Sequence, residues 1–186
     1  SATVKDTLNK AKLIRLRQAS TNPALLSKPL KDALEDGDYY YDPNIEFTSH
    51  TDVIVNDSEF FKKICDYRLN ETPAKFIAIK DLIEQKIIPQ KDKVIIWTIF
   101  IQNAKELKNY LHSFNVESRL LIGEIGQEER ELTIHKFNNP MNQEFQVVIA
   151  NPFSVAESIS LHKGCHNAIY MERDYNCSNF LQSKDR

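Results

Sequence analysis

The stretch KVIIWTIF, residues 93–100, decides the fold of this chain. Four consecutive apolar residues, Val94 to Trp97, follow the charged run at 91–93. A short run that is apolar at every position and rich in β-branched residues is typical of a strand buried on both faces of a sheet. The sequence therefore predicts a parallel strand here, with helices covering both of its sides.

Strands and helices alternate around this stretch. A helix with an apolar face is predicted to begin at Thr72-Pro73, and another carries Ala104, Leu107, Leu111 and Phe114 on one side. This alternation predicts an α/β fold, a three-layer domain with a mostly parallel sheet and helices on both faces. The other predicted strands are SRLLI (118–122), FQVVIA (145–150) and NAIYME (167–172), and further helices are predicted at 127–137, 154–160 and from Asn176.

The N-terminal part has a different character. Residues 3–20 place Val4, Leu8 and Leu16 near helical spacing, and Asn22-Pro23 ends that pattern because proline disfavours helical geometry in the residue before it. Residues 28–56 show no clear period. We therefore predict that residues 1–71 form a helix and an irregular extension, and that 72–186 form the main domain.

Composition limits the possible functions. The 186 residues are 41% hydrophobic and 27% charged, which is typical of a globular protein, and the longest apolar runs are too short to cross a membrane. The net charge of -2 means that nucleic-acid affinity needs a local patch. Three cysteines favour reduced thiols, and hence an intracellular protein, cytoplasmic in a prokaryote or nuclear in a eukaryote.

The carboxyl ends of parallel strands, with the loops that leave them, form the ligand-binding edge of such sheets. This rule brings several separated segments of the sequence to one edge. They are Thr98, Gly123-Glu124, 151–158 and 172–176.

Four segments resemble the successive motifs of the C-terminal RecA-like lobe of superfamily-two helicases, most similarly those of Swi/Snf-type ATP-dependent DNA translocases. These are KVIIWTIFIQNAKELKNYL, LIGEIGQEERELTIHKFNNP, VVIANPFSVAESISLHKGCHNAIYMERDYN and FLQSKDR. RLRQASTNPALL also resembles the segment that leads into that lobe. The resemblance implies a RecA-like domain that acts as the second motor lobe of a helicase or translocase.

The same resemblance implies roles for particular residues. For nucleic-acid backbone contacts it implies Thr98, Gly123, Arg130, Asn151 and Ser154. For the ATP site and the facing lobe it implies Glu157, Ser158, Ser160, Gln182, Asp185 and Arg186. Simpler interpretations stay open: Thr98 could merely end a strand, Arg130 could be a solvated surface charge, and Gln182 and Arg186 could belong to a frayed terminus.

The chain departs from the family in one motif. Where the family usually carries Gly-Gly-x-Gly, this sequence reads Val155, Ala156, Glu157 and Ser158, and Ser160 replaces a common asparagine. The close backbone approach that glycine allows is thus partly lost. We expect Glu157 to supply a side-chain contact instead, to Arg186 or to a ribose hydroxyl.

No catalytic residue is expected within the chain. The sequence has neither a Gly-x-x-x-x-Gly-Lys-Ser/Thr phosphate loop nor an Asp-Glu-x-x box for Mg²⁺, and the family's arginine fingers are expected beyond Arg186 in a His-Arg-x-Gly continuation. The resemblance implies ATP and Mg²⁺ as cofactors of the full-length enzyme, with an N-terminal RecA-like lobe and duplex DNA as partners. The chain alone is predicted to bind no cofactor and to be inactive.

Two other functions remain open at this stage, together with a possible metal site. The chain could be a stand-alone α/β module that binds nucleic acid or protein, or the lobe of an RNA-directed helicase. Zinc would need ligands from His162, Cys165, His166 and Cys177. Adjacent Cys165 and His166 would point to opposite faces of a strand, and no Cys-x-x-Cys pair supports them, so no metal site is predicted.

Overall fold

The computed structural model describes residues 2–27, 58–154, 160–161 and 163–172. Its contacts divide the chain into two compact units, residues 1–73 and 74–186. The predicted irregular segment at 28–56 and the predicted helices at 154–160 and from Asn176 lie largely outside the described residues. Among the described residues, no helix combines the length and the apolar character needed to span a bilayer.

In the first unit, the described residues form helices joined by short connections. Helix α1 (Ala2–Thr21) confirms the predicted N-terminal helix, and a 3₁₀ helix, Pro23–Leu26, follows it. The Asn22 side chain accepts a hydrogen bond from the Ala24 N–H, which caps the 3₁₀ helix. Helix α2 (Ser58–Asn70) packs against this 3₁₀ helix. Leu16 was predicted on the apolar face of α1, but its side chain is exposed.

The second unit alternates helices and strands as predicted. Its first helix begins at Ala74, slightly later than the predicted Thr72-Pro73 start, and it ends in a wider π-helical turn at Ile83–Ile87. The elements are α3 (Ala74–Leu82), β1 (Val94–Trp97), α4 (Ile101–His112), β2 (Ser118–Leu121), α5 (Gln127–Asn138), β3 (Val147–Ala150) and β4 (Asn167–Tyr170).

The four strands found among the described residues form one sheet in the order β2-β3-β1-β4, and all neighbours are parallel. Val94 of β1 lies beside Val147 of β3 and Asn167 of β4, while Ser118 of β2 also lies beside Val147. The strands therefore begin and end at matching levels. This confirms the predicted parallel α/β sheet.

Helices cover both faces of the sheet. On one face, Val94, Ile96, Val147 and Ile149 pack with residues of α3 and α4. On the other face, Ile95, Trp97, Val148 and Ala150 pack with Phe137 of α5 and with Phe145 and Leu161. Alternate residues of each strand point to opposite faces, so an unbroken apolar run is needed to fill both. The predicted three-layer arrangement is confirmed.

One predicted core residue lies outside the core. Phe114 was expected on the apolar face of α4 with Leu111, but α4 ends at His112 and Phe114 lies in the following turn. Its ring is partly exposed and meets Tyr110 edge to face, with 5.1 Å between the centroids. The helical period fails here because the chain leaves the helix before reaching Phe114.

A buried lysine holds the carboxyl end of α5. Lys93, only 3% exposed, donates from Nζ to the carbonyls of Phe137 at 2.8 Å and Asn139 at 2.6 Å. A cation at this end is also favoured by the helix dipole. Burial lowers the pKa of Lys93, and the neighbouring Cys165 acts in the opposite direction. Since Lys93 directly precedes β1, these bonds fix the end of α5 against the start of that strand.

Gly164 allows the close packing beside the same helix end. A Cβ on Gly164 would lie 2.3 Å from the Phe137 carbonyl oxygen and 2.8 Å from the Asn138 Cα, both backbone atoms that cannot rotate away. We predict that Gly164→Ala lowers the free energy of unfolding by about 1–3 kcal/mol, the usual cost of overpacking. Urea denaturation of the purified chain measures this difference.

Gly126→Ala provides the matched control. Within the described part of the chain, its two neighbours in sequence aside, no atom lies within 4 Å of a Cβ at that position, and its backbone is extended. Its free energy of unfolding should stay within about 0.5 kcal/mol of the wild-type value. Equal stabilities of the two variants would contradict the close approach at Gly164.

Candidate functional site at the carboxyl edge of the sheet

Four chain segments leave the sheet at its carboxyl edge and stay aligned there. The Thr98 N–H donates to the Ala150 carbonyl, the Asn151 N–H to the Leu121 carbonyl, and the Met171 N–H to the Trp97 carbonyl, each at 3.0 Å. The ladder of the sheet thus extends one residue beyond each of these strands. Residues 98, 122–123, 151–154 and 171–172 therefore lie along one edge, as the sequence predicted.

Asn151 joins the exits of β1 and β3. Its side chain is almost fully buried, and its Nδ2 donates to the carbonyls of Thr98 at 3.3 Å and Ile99 at 2.9 Å. Its Oδ1 accepts the Phe153 N–H at 3.0 Å, which closes a tight turn. Both ends of the amide are therefore used within the protein.

Arg130 points into the protein rather than into solvent. Arg130 lies in the first turn of α5. Its Nη1 donates a hydrogen bond to the Ser154 carbonyl at 3.3 Å. Its Nη2 donates to the carbonyls of Ile122 at 3.2 Å and Ile125 at 3.3 Å. The guanidinium thus connects the exit of β2 to the exit of β3. It is not the solvated charge that one interpretation of the sequence allowed.

The other candidates differ in how far they reach the surface. Thr98 is fully buried, and within the described part of the chain its hydroxyl has no hydrogen-bond partner. Gly123 is exposed and Ser154 is half-buried, and a Cβ on Gly123 would lie 3.4 Å from the Ser154 Oγ. Phe153 is 59% exposed beside them. The accessible part of the edge therefore includes Gly123, Phe153 and Ser154, and the exposed Glu124 lies beside them.

Glu172 and Asn103 contribute to this edge, although the sequence analysis assigned them no role. Glu172 is buried and accepts the Ile99 N–H at 3.1 Å through Oε2 and the Asn103 Nδ2 at 3.0 Å through Oε1. The carboxylate thereby ties the exit of β4 to the exit of β1. Two features of the sequence could have indicated these residues. Glu172 is an acidic residue at the end of a predicted strand, and Asn103 is a polar residue on the apolar face of α4.

The residues predicted at the ATP site are mostly outside the described residues: Glu157, Ser158, Gln182, Asp185 and Arg186. Ser160 is described, and its carbonyl accepts the Asn138 Nδ2 at 2.7 Å. It thus lies by the end of α5, near Lys93 and the start of β1. The structure brings together the five nucleic-acid candidates at one edge, whereas it places Ser160 with none of them.

Two of the four residues considered for zinc are described. Cys165 is buried, and its thiol, with one hydrogen to donate, has two acceptors in reach: the carbonyls of Lys93 at 3.0 Å and Asn167 at 3.2 Å. Burial raises the pKa of this thiol, which opposes the thiolate form that zinc binds. His166 is exposed. The contacts of Cys165 are those of a packed thiol.

Comparison with known proteins identifies relatives of the second unit. The sequence model of the helicase conserved C-terminal domain matches residues 74–186, which is more than half of the chain. No curated protein matches the sequence at a significant level.

Several solved structures share the fold. The C-terminal part of the Fun30 ATPase domain superposes with a TM-score of 0.55 and 21% identity, covering 89% of this chain and 56% of that one. The Hef helicase domain of Pyrococcus furiosus superposes with a TM-score of 0.55 and 19% identity, covering 86% of this chain and 31% of that one. The SWI2/SNF2 ATPase core of Sulfolobus solfataricus was solved in complex with double-stranded DNA. It superposes with a TM-score of 0.50 and 19% identity, covering 84% of this chain and 32% of that one.

These likenesses confirm the predicted RecA-like fold, because the neighbours are helicase lobes and include SWI2/SNF2 ATPases. The chain spans about half the length of the Fun30 structure and about a third of the other two.

The two bonds donated by Asn151 make a testable contribution to stability. We predict that Asn151→Asp lowers the free energy of unfolding by about 1–3 kcal/mol, because two buried carbonyls lose their donor. A carboxylate beside carbonyls disfavours its charged form, which raises its pKa in the folded state. The deficit relative to wild type should therefore shrink as pH falls from 7 towards 5, and denaturant unfolding at each pH measures it.

Asn139→Asp serves as the control. Asn139 is exposed, and its side chain accepts a hydrogen bond from the Met141 N–H, which a carboxylate also accepts. Its stability should match wild type throughout that pH range. A constant deficit for Asn151→Asp between pH 7 and pH 5 would contradict the donor role.

Proposed function

The chain belongs to the helicase conserved C-terminal domain family, and from this membership we propose that it is the second of two motor lobes in a Swi/Snf-type, ATP-dependent DNA translocase. The carboxyl edge of its sheet holds the sugar-phosphate backbone of duplex DNA. The other lobe, with the phosphate loop and the acidic box that this sequence lacks, closes against it around ATP.

One observation carries this proposal: at the carboxyl edge, accessible main chain and a hydroxyl lie directly above buried polar bonds that hold them in place. Gly123 brings the main chain to the surface with no side chain in the way, and Ser154 offers a hydroxyl beside it. Phosphate oxygens are generally bound by hydroxyls and main-chain N–H groups, which fix the position of a duplex without reading its sequence. A translocase needs contacts of this kind at every step.

Duplex DNA is the proposed polymer. The SWI2/SNF2 ATPase core that shares this fold was solved with double-stranded DNA, which supports the choice. A translocase that tracks along a duplex requires backbone contacts rather than base contacts. An RNA-directed lobe is distinguished by preferring RNA of the same sequence in a competition titration.

ATP and Mg²⁺ are proposed as cofactors of the full-length enzyme. Nucleotide hydrolysis would supply the energy that changes how the two lobes pack. The residues of this chain proposed for the facing side are Glu157, Ser158, Ser160, Gln182, Asp185 and Arg186. Of these, only Ser160 is described, and its carbonyl bond to Asn138 would fix the start of the segment that runs towards β4. Among the described residues, no group of acidic side chains is arranged to hold the Mg²⁺ of a nucleotide.

Gly123→Asp tests the DNA contact. The position has room for a Cβ at ordinary contact distance from Ser154, so the variant should fold as the wild type does. We predict that its affinity for duplex DNA falls about fivefold or more, because like charges about 4 Å apart repel by about 1 kcal/mol even in water. Fluorescence anisotropy with a labelled random-sequence duplex measures the affinity.

Gln143→Glu is the charge-matched control. It also adds one negative charge, but Gln143 is exposed in the loop before β3, at the opposite edge of the sheet. Its affinity should stay within about twofold of wild type at physiological salt, where charges are screened beyond about 8 Å. Equal losses in both variants, or no binding by the wild type, would refute the proposed edge.

ATP hydrolysis tests the two-lobe proposal. We predict that the chain alone releases no phosphate from ATP, with or without duplex DNA, because the phosphate loop and the arginine fingers belong elsewhere. Arginine fingers by themselves are typically worth about 10³–10⁵ in rate. A polypeptide that also contains the other lobe should show DNA-stimulated turnover, whereas turnover by these residues alone would contradict the proposal.

A further inference from the structure

We propose that Arg130 enables the carboxyl edge to bind phosphate, although Arg130 itself does not contact the phosphate. The guanidinium binds main-chain carbonyls that would otherwise present negative charge to the DNA backbone, and it holds two strand exits in register. Arg130 is thus a positioning residue. This inference rests on the proposed function, since it concerns the same edge and the same polymer.

The carboxyl edge of a parallel sheet poses an electrostatic problem for a phosphate ligand. Every strand ends there with carbonyl oxygens that carry partial negative charge, and unpaired buried carbonyls also cost free energy. A phosphate oxygen approaching such an edge would be repelled unless those carbonyls are bound to donors. Side chains that point into the edge can provide these donors.

The structure provides such donors at the exits of the four strands in the described part of the chain. The Asn151 amide serves β1, the Lys75 ammonium serves β4 by donating to Met171 at 2.7 Å, and Arg130 serves both β2 and β3. Two of the three donors are cations. The carbonyls bound in this way are those of Thr98, Ile99, Ile122, Ile125, Ser154 and Met171.

Arg130 is the donor that joins two of the exits that border the accessible surface. Ile122 directly precedes Gly123, and Ser154 lies against it, so the bonds of Arg130 fix both sides of the proposed phosphate contact. The planar guanidinium presents several N–H groups in a fixed fork, whereas a lysine ammonium is a compact point charge on a flexible stem. Lysine would keep the charge at this place, but its single nitrogen lacks the fork through which Nη1 and Nη2 of Arg130 reach the exits of both β3 and β2.

Arg130→Lys is the decisive variant because it keeps the charge and loses the fork. We predict that its affinity for duplex DNA falls about tenfold, the equivalent of one lost hydrogen bond. The slope of log affinity against log salt should match the wild-type slope, because no phosphate contact is lost. Arg130→Gln should show a similar loss of affinity and also keep that slope.

Direct phosphate contact by Arg130 would give a different pattern. Lysine is itself a good phosphate ligand, so Arg130→Lys would then bind nearly as tightly as wild type. Arg130→Gln would lower the salt slope by about 0.9, the value for one released counterion. Either result would overturn this inference while leaving the proposed function intact. Absence of DNA binding by the wild type would overturn both.

Two controls separate positioning from general effects. Lys105→Arg exchanges one cation for another at the same edge, where Lys105 pairs with the exposed Glu124, and its affinity should stay within about twofold of wild type. Val116→Ala makes a cavity in the core before β2, away from this edge, and lowers stability only. With binding compared at equal folded fractions, this variant should bind normally, and a tenfold loss would overturn the inference.

A measurement on the wild type decides the question if the Arg130 variants do not fold. In nuclear magnetic resonance spectra, addition of duplex DNA should shift the Gly123 amide signal. The side-chain Nε–H of Arg130 is buried and has no hydrogen-bond partner among the described residues, and its signal should keep its shift. A large shift of that side-chain signal together with the Gly123 amide would show direct contact and overturn the inference.

Discussion

The carbonyl groups at the carboxyl edge of the parallel sheet are the constraint on which the rest of this structure depends. Main-chain acceptors buried at such an edge require donors. Asn151, Arg130 and Lys75 supply them from three different parts of the second unit. Because these bonds join neighbouring exits, the loops that leave the strands are held in one arrangement and can serve as a binding edge.

Helix α5 links the two edges of the sheet. At its carboxyl end, Lys93 binds the last carbonyls and Gly164 lets the chain pack directly on the helix backbone. At its other end, the first turn places Arg130 beneath the exits of β2 and β3. A helix fixed at one end and packed along its length holds the side chain at its other end in a narrow range of positions. The core packing of α5 therefore contributes to the geometry of the carboxyl edge, where we propose that DNA binds.

The sequence was enough to predict where much of the candidate site lies, but it did not predict which contacts the residues of the site make. The position of Asn151 directly after a predicted strand was enough to place it at the edge. Thr98 was also placed correctly, yet it is fully buried and does not reach the surface. Glu172 and Asn103 received no role, because their bond joins residues 69 positions apart in the chain. Such a pairing follows only from the order of the strands.

The sequence by itself determined the parallel sheet with two covered faces, since unbroken apolar runs of four residues must be buried on both sides wherever they lie. It also determined which segments meet at the carboxyl edge. Only the tertiary structure decided which side chains turn inward there. Arg130 binds carbonyls 5, 8 and 24 residues away, a spacing that matches neither the helical nor the strand period. The local pattern of apolar residues predicts which residues are buried. The direction of a guanidinium depends instead on acceptors from distant parts of the chain, which only folding brings together.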